Sequence, residues 1–224
     1  VTLPAALAAS TSADPVRTHD LPRAAGEDVS LDGCFGVFLR RLIPAPTAYG
    51  DARAVGTEVA LSLRAELNAK AGFDVVDHVI CGSVGKRTAI APISSVDVLY
   101  ALPPKLPGPA TLDRASGWSV TNPLAEAATL RLSDSMYGGR PRLLLAAMKA
   151  WRAHADVSLS SFALELLVQE FYASGPRAYD MERAIMEFWA WVRSRAGTSI
   201  KPPGGRSALE IGDSWRGKAK AAYW

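Results

Sequence analysis

The feature that most constrains this chain is a pair of apolar runs separated by a glycine-serine turn. Phe73, Val75, Val76, Val79 and Ile80 are strand formers in a run that ends on Cys81-Gly82-Ser83. A second run, Val96-Asp97-Val98-Leu99-Tyr100-Ala101-Leu102, is almost wholly apolar and carries a single carboxylate. Strands this apolar must be covered by other elements, so the chain has to supply helices to bury them. It has the material to do so: 49% of its 224 residues are hydrophobic, which excludes a disordered tail or a peptide-sized module.

Helical spacing flanks the strands. FGVFLRRL over 35–42 predicts a short helix stopped by Pro44 and Pro46, and Val55, Val59, Leu63 and Leu67 recur every four residues in a longer one over 48–69, closed by Gly72. Three further helices are predicted over 142–154, 160–172 and 181–195, each with an apolar face, before a Gly/Pro-rich loop over 197–205 and a last short segment. Pro103, Pro104, Pro107 and Pro109 predict irregular backbone, and residues 1–30 read as an irregular arm rich in Ala, Ser, Thr, Pro and Asp. The expected organisation is therefore an arm (1–30), an α/β core lobe (31–135) and a helical lobe (136–224).

Charge and cysteines narrow the function classes. Lys plus Arg is 25 against 22 Asp plus Glu, a net +3, which is thin support for a nucleic-acid partner. Cys34 and Cys81 cannot build a disulfide framework, and no four-ligand zinc spacing exists, so a reducing, cytoplasmic setting is expected. Every apolar stretch is interrupted well short of the roughly 20 residues that a membrane span requires. The apolar opening VTLPAALAAS lacks a positive leader, and no export is read from it. His78 and Cys81, three apart in a strand, point to opposite faces and do not share a metal. Trp151 and Trp189 fit packing better than base stacking.

The chemistry-bearing stretch is GSVGKRTAI over 82–90, followed by Ser94-Ser95-Val96-Asp97. A small-residue turn leaving a buried strand exposes backbone N–H groups and the Ser83 hydroxyl, while Lys86 and Arg87 add positive charge, so a polyphosphate could be cradled there. Asp97 offers a hard oxygen ligand to a divalent cation bridging those phosphates. An ordinary strand turn with a capping or pairing aspartate describes the same residues. Neither the P-loop pattern nor the dinucleotide fingerprint is present.

Taken with its flanks, this stretch resembles the signature of the polymerase-β-like nucleotidyltransferase superfamily, in which a Gly-Ser turn precedes a strand bearing an Asp-x-Asp pair. Phe38-Leu39 and Ile43-Pro44, then GSVGKRTAI and VDVLYAL, are similar to the bacterial cyclic-oligonucleotide synthases (CD-NTases) related to cyclic GMP-AMP synthase and oligoadenylate synthase. GWSVTNP over 117–123, Lys149 in Met-Lys-Ala-Trp, and LSSFALELL over 159–167 follow in the same order, so the resemblance spans roughly 35–192. It implies an α/β fold with a small mixed sheet and a helical C-terminal lobe. The implied activity is Mg2+- or Mn2+-dependent synthesis of a cyclic or linear oligonucleotide messenger from ATP, GTP, CTP or UTP in anti-phage signalling, with room for a protein regulator.

By the same resemblance, Gly82 and Ser83 bind the triphosphate, with Lys86 and Thr88 in the same phosphate-side stretch, and Asp97 is the second of two metal-binding carboxylates. Lys149, Ser160 and Ser161 correspond to second-lobe groups that reach the nucleotide. On residues alone, Lys149 also reads as a solvated cation and Ser160 as a helix N-cap. Two departures stand out. Ser95 occupies the place of the first carboxylate and cannot supply its charge. The third carboxylate's place, between Leu102 and Gly117, offers only prolines and Asp113, so either catalytic parts are lost or a segment is absent from this sequence. The alternatives that follow are a catalytically impaired nucleotide-binding member of the fold, or an RNA-modifying nucleotidyltransferase.

Overall fold

A computed structural model describes residues 31–70, 75–101, 110–113, 117–175, 180–205 and 207–223. The arm assigned to 1–30 and the prolines between 102 and 109 lie outside them. In chain order the elements are α1 (Leu31–Leu42), α2 (Pro46–Lys70), β1 (Asp77–Cys81), the single helical turn α3 (Gly82–Gly85), β2 (Asp97–Ala101), β3 (Ala110–Asp113), β4 (Gly117–Val120), α4 (Pro123–Met136), α5 (Arg140–His154), α6 (Ser161–Ala173), α7 (Met181–Val192), a 3-10 turn (Arg193–Arg195), β5 (Ser199–Ile200), β6 (Leu209–Glu210) and α8 (Arg216–Tyr223). The fold is mixed α/β, as the apolar runs and helical spacings imply. No helix among the described residues is long and apolar enough to cross a membrane.

β1 and β2 pair antiparallel with Cys81 opposite Asp97 and His78 opposite Tyr100. The residues between them do not form a tight hairpin turn: α3 follows β1 directly and tucks back under it. Val84 is fully buried, and a Cβ on Gly85 would sit 2.4 Å from the Ile80 carbonyl oxygen, so that approach needs glycine. β3 and β4 form a separate hairpin that places Asp113 opposite Gly117.

α2 covers the β1–β2 pair through a stripe of small residues rather than through its branched ones. Ala52, Gly56 and Ala60 are buried, while Leu63 of the predicted apolar repeat is exposed. The cause is the closeness of the sheet and its lead-in: a Cβ on Gly56 would lie 2.7 Å from Cγ1 of Val96, just ahead of β2, and 3.2 Å from Cδ1 of Ile80 in β1. The Tyr100 hydroxyl donates to the Ala60 carbonyl at 3.0 Å, fixing the register of helix on strand.

The main core lies in the helical lobe, where Leu144, Leu145, Met148, Leu164, Leu167 and Phe171 pack with Phe188 and Val192. Leu39 of α1 joins this cluster rather than the sheet. Trp215 does too, almost fully buried with its indole N–H donating to the Ile211 carbonyl at 3.0 Å, so the C-terminal segment is part of the core. Trp151 and Trp189 meet edge to face in the same lobe, consistent with packing. Side-chain caps start three helices: Asn122 on Ala125 N–H, Ser160 on Ala163 N–H and Asp180 on Arg183 N–H.

Candidate functional site

A cleft of about 530 Å³ opens between the β1–α3–β2 unit and the helical wall of α4, α5 and α6. The end of β1 delivers Cys81, and the turn after it presents Gly82 and Ser83. β2 starts at Asp97, whose carboxylate is exposed toward the cleft, with exposed Ser95 just ahead of it. Gly82 adopts φ +58, and a Cβ built on it would fall 1.8 Å from Asp97 Oδ2. The glycine therefore serves two needs at once: a left-handed backbone and room for the carboxylate.

The opposite wall brings Lys149 from α5 and Ser161, Phe162 and Glu165 from α6. Lys149 is buried and donates to the Thr88 carbonyl at 2.5 Å and to its hydroxyl at 3.2 Å. Burial lowers its pKa to about 8, with Lys86 and Arg152 pushing the same way and Glu165 and Asp97 opposing. Arg152 donates to the Leu159 carbonyl and, at 3.5 Å, to the Ser161 hydroxyl, holding the start of α6 at the cleft edge. The Cys81 thiol is raised to about 11 by burial and by the neighbouring Asp97 charge, so it stays protonated.

Lys86 sits differently from its predicted role. Its side chain is buried between two carboxylates, 2.6 Å from Glu165 and 3.2 Å from Glu126, with the ammonium 4.8 Å from the Phe162 ring centre. Its charge is thus matched within the protein, and it bolts the turn after β1 to α4 and α6. Thr121 Oγ1 donates to Glu126 at 3.3 Å, and burial raises the Glu165 pKa against the pull of Lys86. Arg87 faces the other side of the turn, away from the cleft. Ser160 is the exposed cap of α6, and it is Ser161 that lines the cavity.

Of the predicted set, then, Gly82, Ser83, Lys86, Ser95, Asp97, Lys149 and Ser161 border one cavity, and Thr88 is buried behind it as the partner of Lys149. Sequence reasoning missed Glu126, Glu165 and Arg152. Glu165 lies within the LSSFALELL motif, and a carboxylate inside the apolar run over 162–168 is a signal for a buried cation.

Of the carboxylates that line the cleft among the described residues, Glu126 and Glu165 are paired with Lys86, and Asp97 is the one open to a divalent cation. Asp97 with phosphate oxygens can hold one Mg2+ or Mn2+, because magnesium is commonly bound by one or two carboxylates plus substrate phosphates. Among the described residues no group of three or more His, Cys, Asp or Glu side chains could hold a metal.

No family model and no curated protein matches this chain. Solved structures do. The E. coli MS115-1 CdnC:HORMA-deltaN complex matches with a TM-score of 0.57 at 13% identity, covering 74% of this chain and 72% of that one. E. coli MS115-1 CdnC + ATP matches with a TM-score of 0.53 at 13% identity, covering 73% and 71%. The chain therefore has a CdnC-like fold.

Proposed function

We propose that the cleft binds a nucleoside triphosphate and that the chemistry is nucleotidyl transfer, building a cyclic or linear oligonucleotide messenger for anti-phage signalling. The observation that carries this is the seating of the Asp97 carboxylate against Gly82 in a cleft that Lys149 also lines. A nucleotide whose phosphates lie along the Gly82–Ser83 turn meets the Ser83 hydroxyl on one side and the Lys149 ammonium on the other. In the reaction a ribose hydroxyl oxygen attacks the α-phosphorus, its proton leaves, and pyrophosphate departs. This chain's residues hold the phosphates, and the Lys86 ion pairs to α4 and α6 fix the width of the cleft. Asp97 would hold a divalent cation, which would supply screening of phosphate charge. One structural neighbour is a complex with ATP and the other a complex with HORMA-deltaN, which supports triphosphate substrates and a protein regulator.

A second reading, a nucleotide-binding member with little turnover, is favoured by Ser95. Loss of one principal contact to the transition state costs on the order of 10²–10³ in rate. Incubating the protein with labelled ATP, GTP, CTP and UTP and Mg2+ or Mn2+ tests both. A phosphatase-resistant product supports transfer. Saturable ATP binding with no product from any mixture supports the silent reading, and in that case Ser95→Asp is expected to restore product. Absence of ATP binding refutes both readings.

A further inference from the structure

The turn that fronts the cleft has a second hollow behind it, of about 630 Å³. Its lining combines the apolar surfaces of Ile43, Pro44 and Tyr49 with the guanidinium groups of Arg87, Arg131 and Arg142. No carboxylate lines it among the described residues. Arg142 is committed: it donates to the carbonyls of Lys86 and Arg87 and to the carboxylate of Asp134. Arg87 and Arg131 are exposed, and neither has an ion-pair partner among the described residues. Arg87 also holds φ +55, a left-handed conformation that a non-glycine residue adopts at a cost, and the Arg142 contact with its carbonyl keeps it there.

We propose that this hollow binds a phosphate-bearing small molecule, with the anion on Arg87 and Arg131 and any apolar body against Tyr49 and Pro44. Two guanidinium groups facing one cavity with no internal counter-charge suit phosphate oxygens, for which arginine presents a forked pair of donors. The apolar part of the lining offers a surface to a ring or chain attached to the anion. The site is distinct from the cleft and does not depend on nucleotidyl transfer. Lys86 borders both cavities, so an occupant behind the turn is one residue away from the ion cluster inside the cleft.

Arginine-selective labelling with phenylglyoxal, read residue by residue by mass spectrometry, tests this on the full chain with pyrophosphate or AMP as probes. Both Arg87 and Arg131 are expected to be protected in the wild type and in the cleft variant Lys149→Met. Calorimetry should show binding to K149M weakened roughly tenfold to a hundredfold when Arg131→Ala is added, the loss expected for one hydrogen bond to a charged group. R131A lies on an exposed helical surface and should melt like the wild type, which separates lost contact from lost fold. Protection by pyrophosphate supports a bare anion as sufficient, and protection by AMP alone supports a requirement for the attached body. Failure of pyrophosphate, AMP and ATP to protect either arginine overturns the proposal, and so does protection that disappears in K149M but survives in R131A.

Discussion

Replacing Gly82 by alanine separates backbone strain from the position of Asp97, because a matched control exists elsewhere in the chain. Gly82 and Gly138 hold nearly the same left-handed backbone, φ +58 and +60. An added Cβ at Gly138 meets nothing within 4 Å, whereas at Gly82 it lands 1.8 Å from Asp97 Oδ2 and 2.7 Å from Asp97 Cγ. Both alanines therefore carry the left-handed penalty of about 1–2 kcal/mol, a fall in melting temperature of roughly 2–8 °C for a chain of this size. The Asp97 carboxylate is the free end of an exposed side chain, so pushing it aside adds little to that fall. Its displacement acts on binding instead: one charge-assisted contact of about 1.5–3 kcal/mol is lost, weakening Mg2+-ATP roughly tenfold to a hundredfold. Thermal melts and ATP calorimetry on the two variants, with and without Mg2+, read both quantities. Equal ATP affinity for G82A and G138A would refute the assignment of Asp97 to the phosphate-metal end of the cleft.

Three further outcomes follow from the same geometry. Lys86→Met leaves Glu126 and Glu165 buried without their cation and should cost about 3–5 kcal/mol in urea unfolding, most of it recovered when both glutamates are also made Gln; a loss under about 1 kcal/mol contradicts the bolt. Lys149 titrates near 8 in the fold against 10.5 in the unfolded chain, so between those values the unfolded chain holds the extra proton and this group's contribution to stability rises with pH. ATP affinity should move the opposite way, falling from about pH 7 to about pH 9 as the ammonium is lost, and Lys149→Arg should flatten that profile; a pH-independent wild type contradicts a phosphate contact. Trp215→Ala removes an almost fully buried indole from the main core and should cost about 3–5 kcal/mol by denaturant melt, whereas a near-neutral result would mean that the C-terminal segment does not belong to it.

What was legible in the sequence tracks how each element is buried. The helices predicted over 142–154 and 160–172 match α5 and α6 within two residues at each end, because a continuous apolar face packs into the main core. The helix predicted over 181–195 ends instead as α7 at Val192, with a 3-10 turn completing it. α4 was not legible: it buries only Glu126 and Leu130 while Leu124, Leu132 and Met136 stay exposed, which scrambles any apolar period. Its one local signal was Asn122-Pro123, a capping residue followed by proline at the first helical position. The working face of α2 was hidden for another reason, since its closest contacts are made where side chains are missing, and a reading that looks for large apolar residues passes over Gly56 and Ala60.

The site divides along the same line. Gly82, Ser83 and Asp97 could be read together because the turn and the following strand are contiguous in a motif, and the register then places Cys81 beside Asp97. Glu126 and Glu165 reach Lys86 across 40 and 79 positions, and no local pattern encodes such convergence. That convergence alters the electrostatics of the cleft. Of the cations that line it among the described residues, Lys86 is neutralised by two carboxylates, whereas Lys149 and Arg152 donate only to neutral oxygens, of Thr88 and of Leu159 and Ser161, and keep an unmatched positive charge. On the proposed reading, a triphosphate placed beside the Asp97 carboxylate calls for a cation there to offset the like charges. Affinity should therefore depend on Mg2+ and on Lys149 protonation together, and loss of either dependence alone breaks the two-walled account of the cleft.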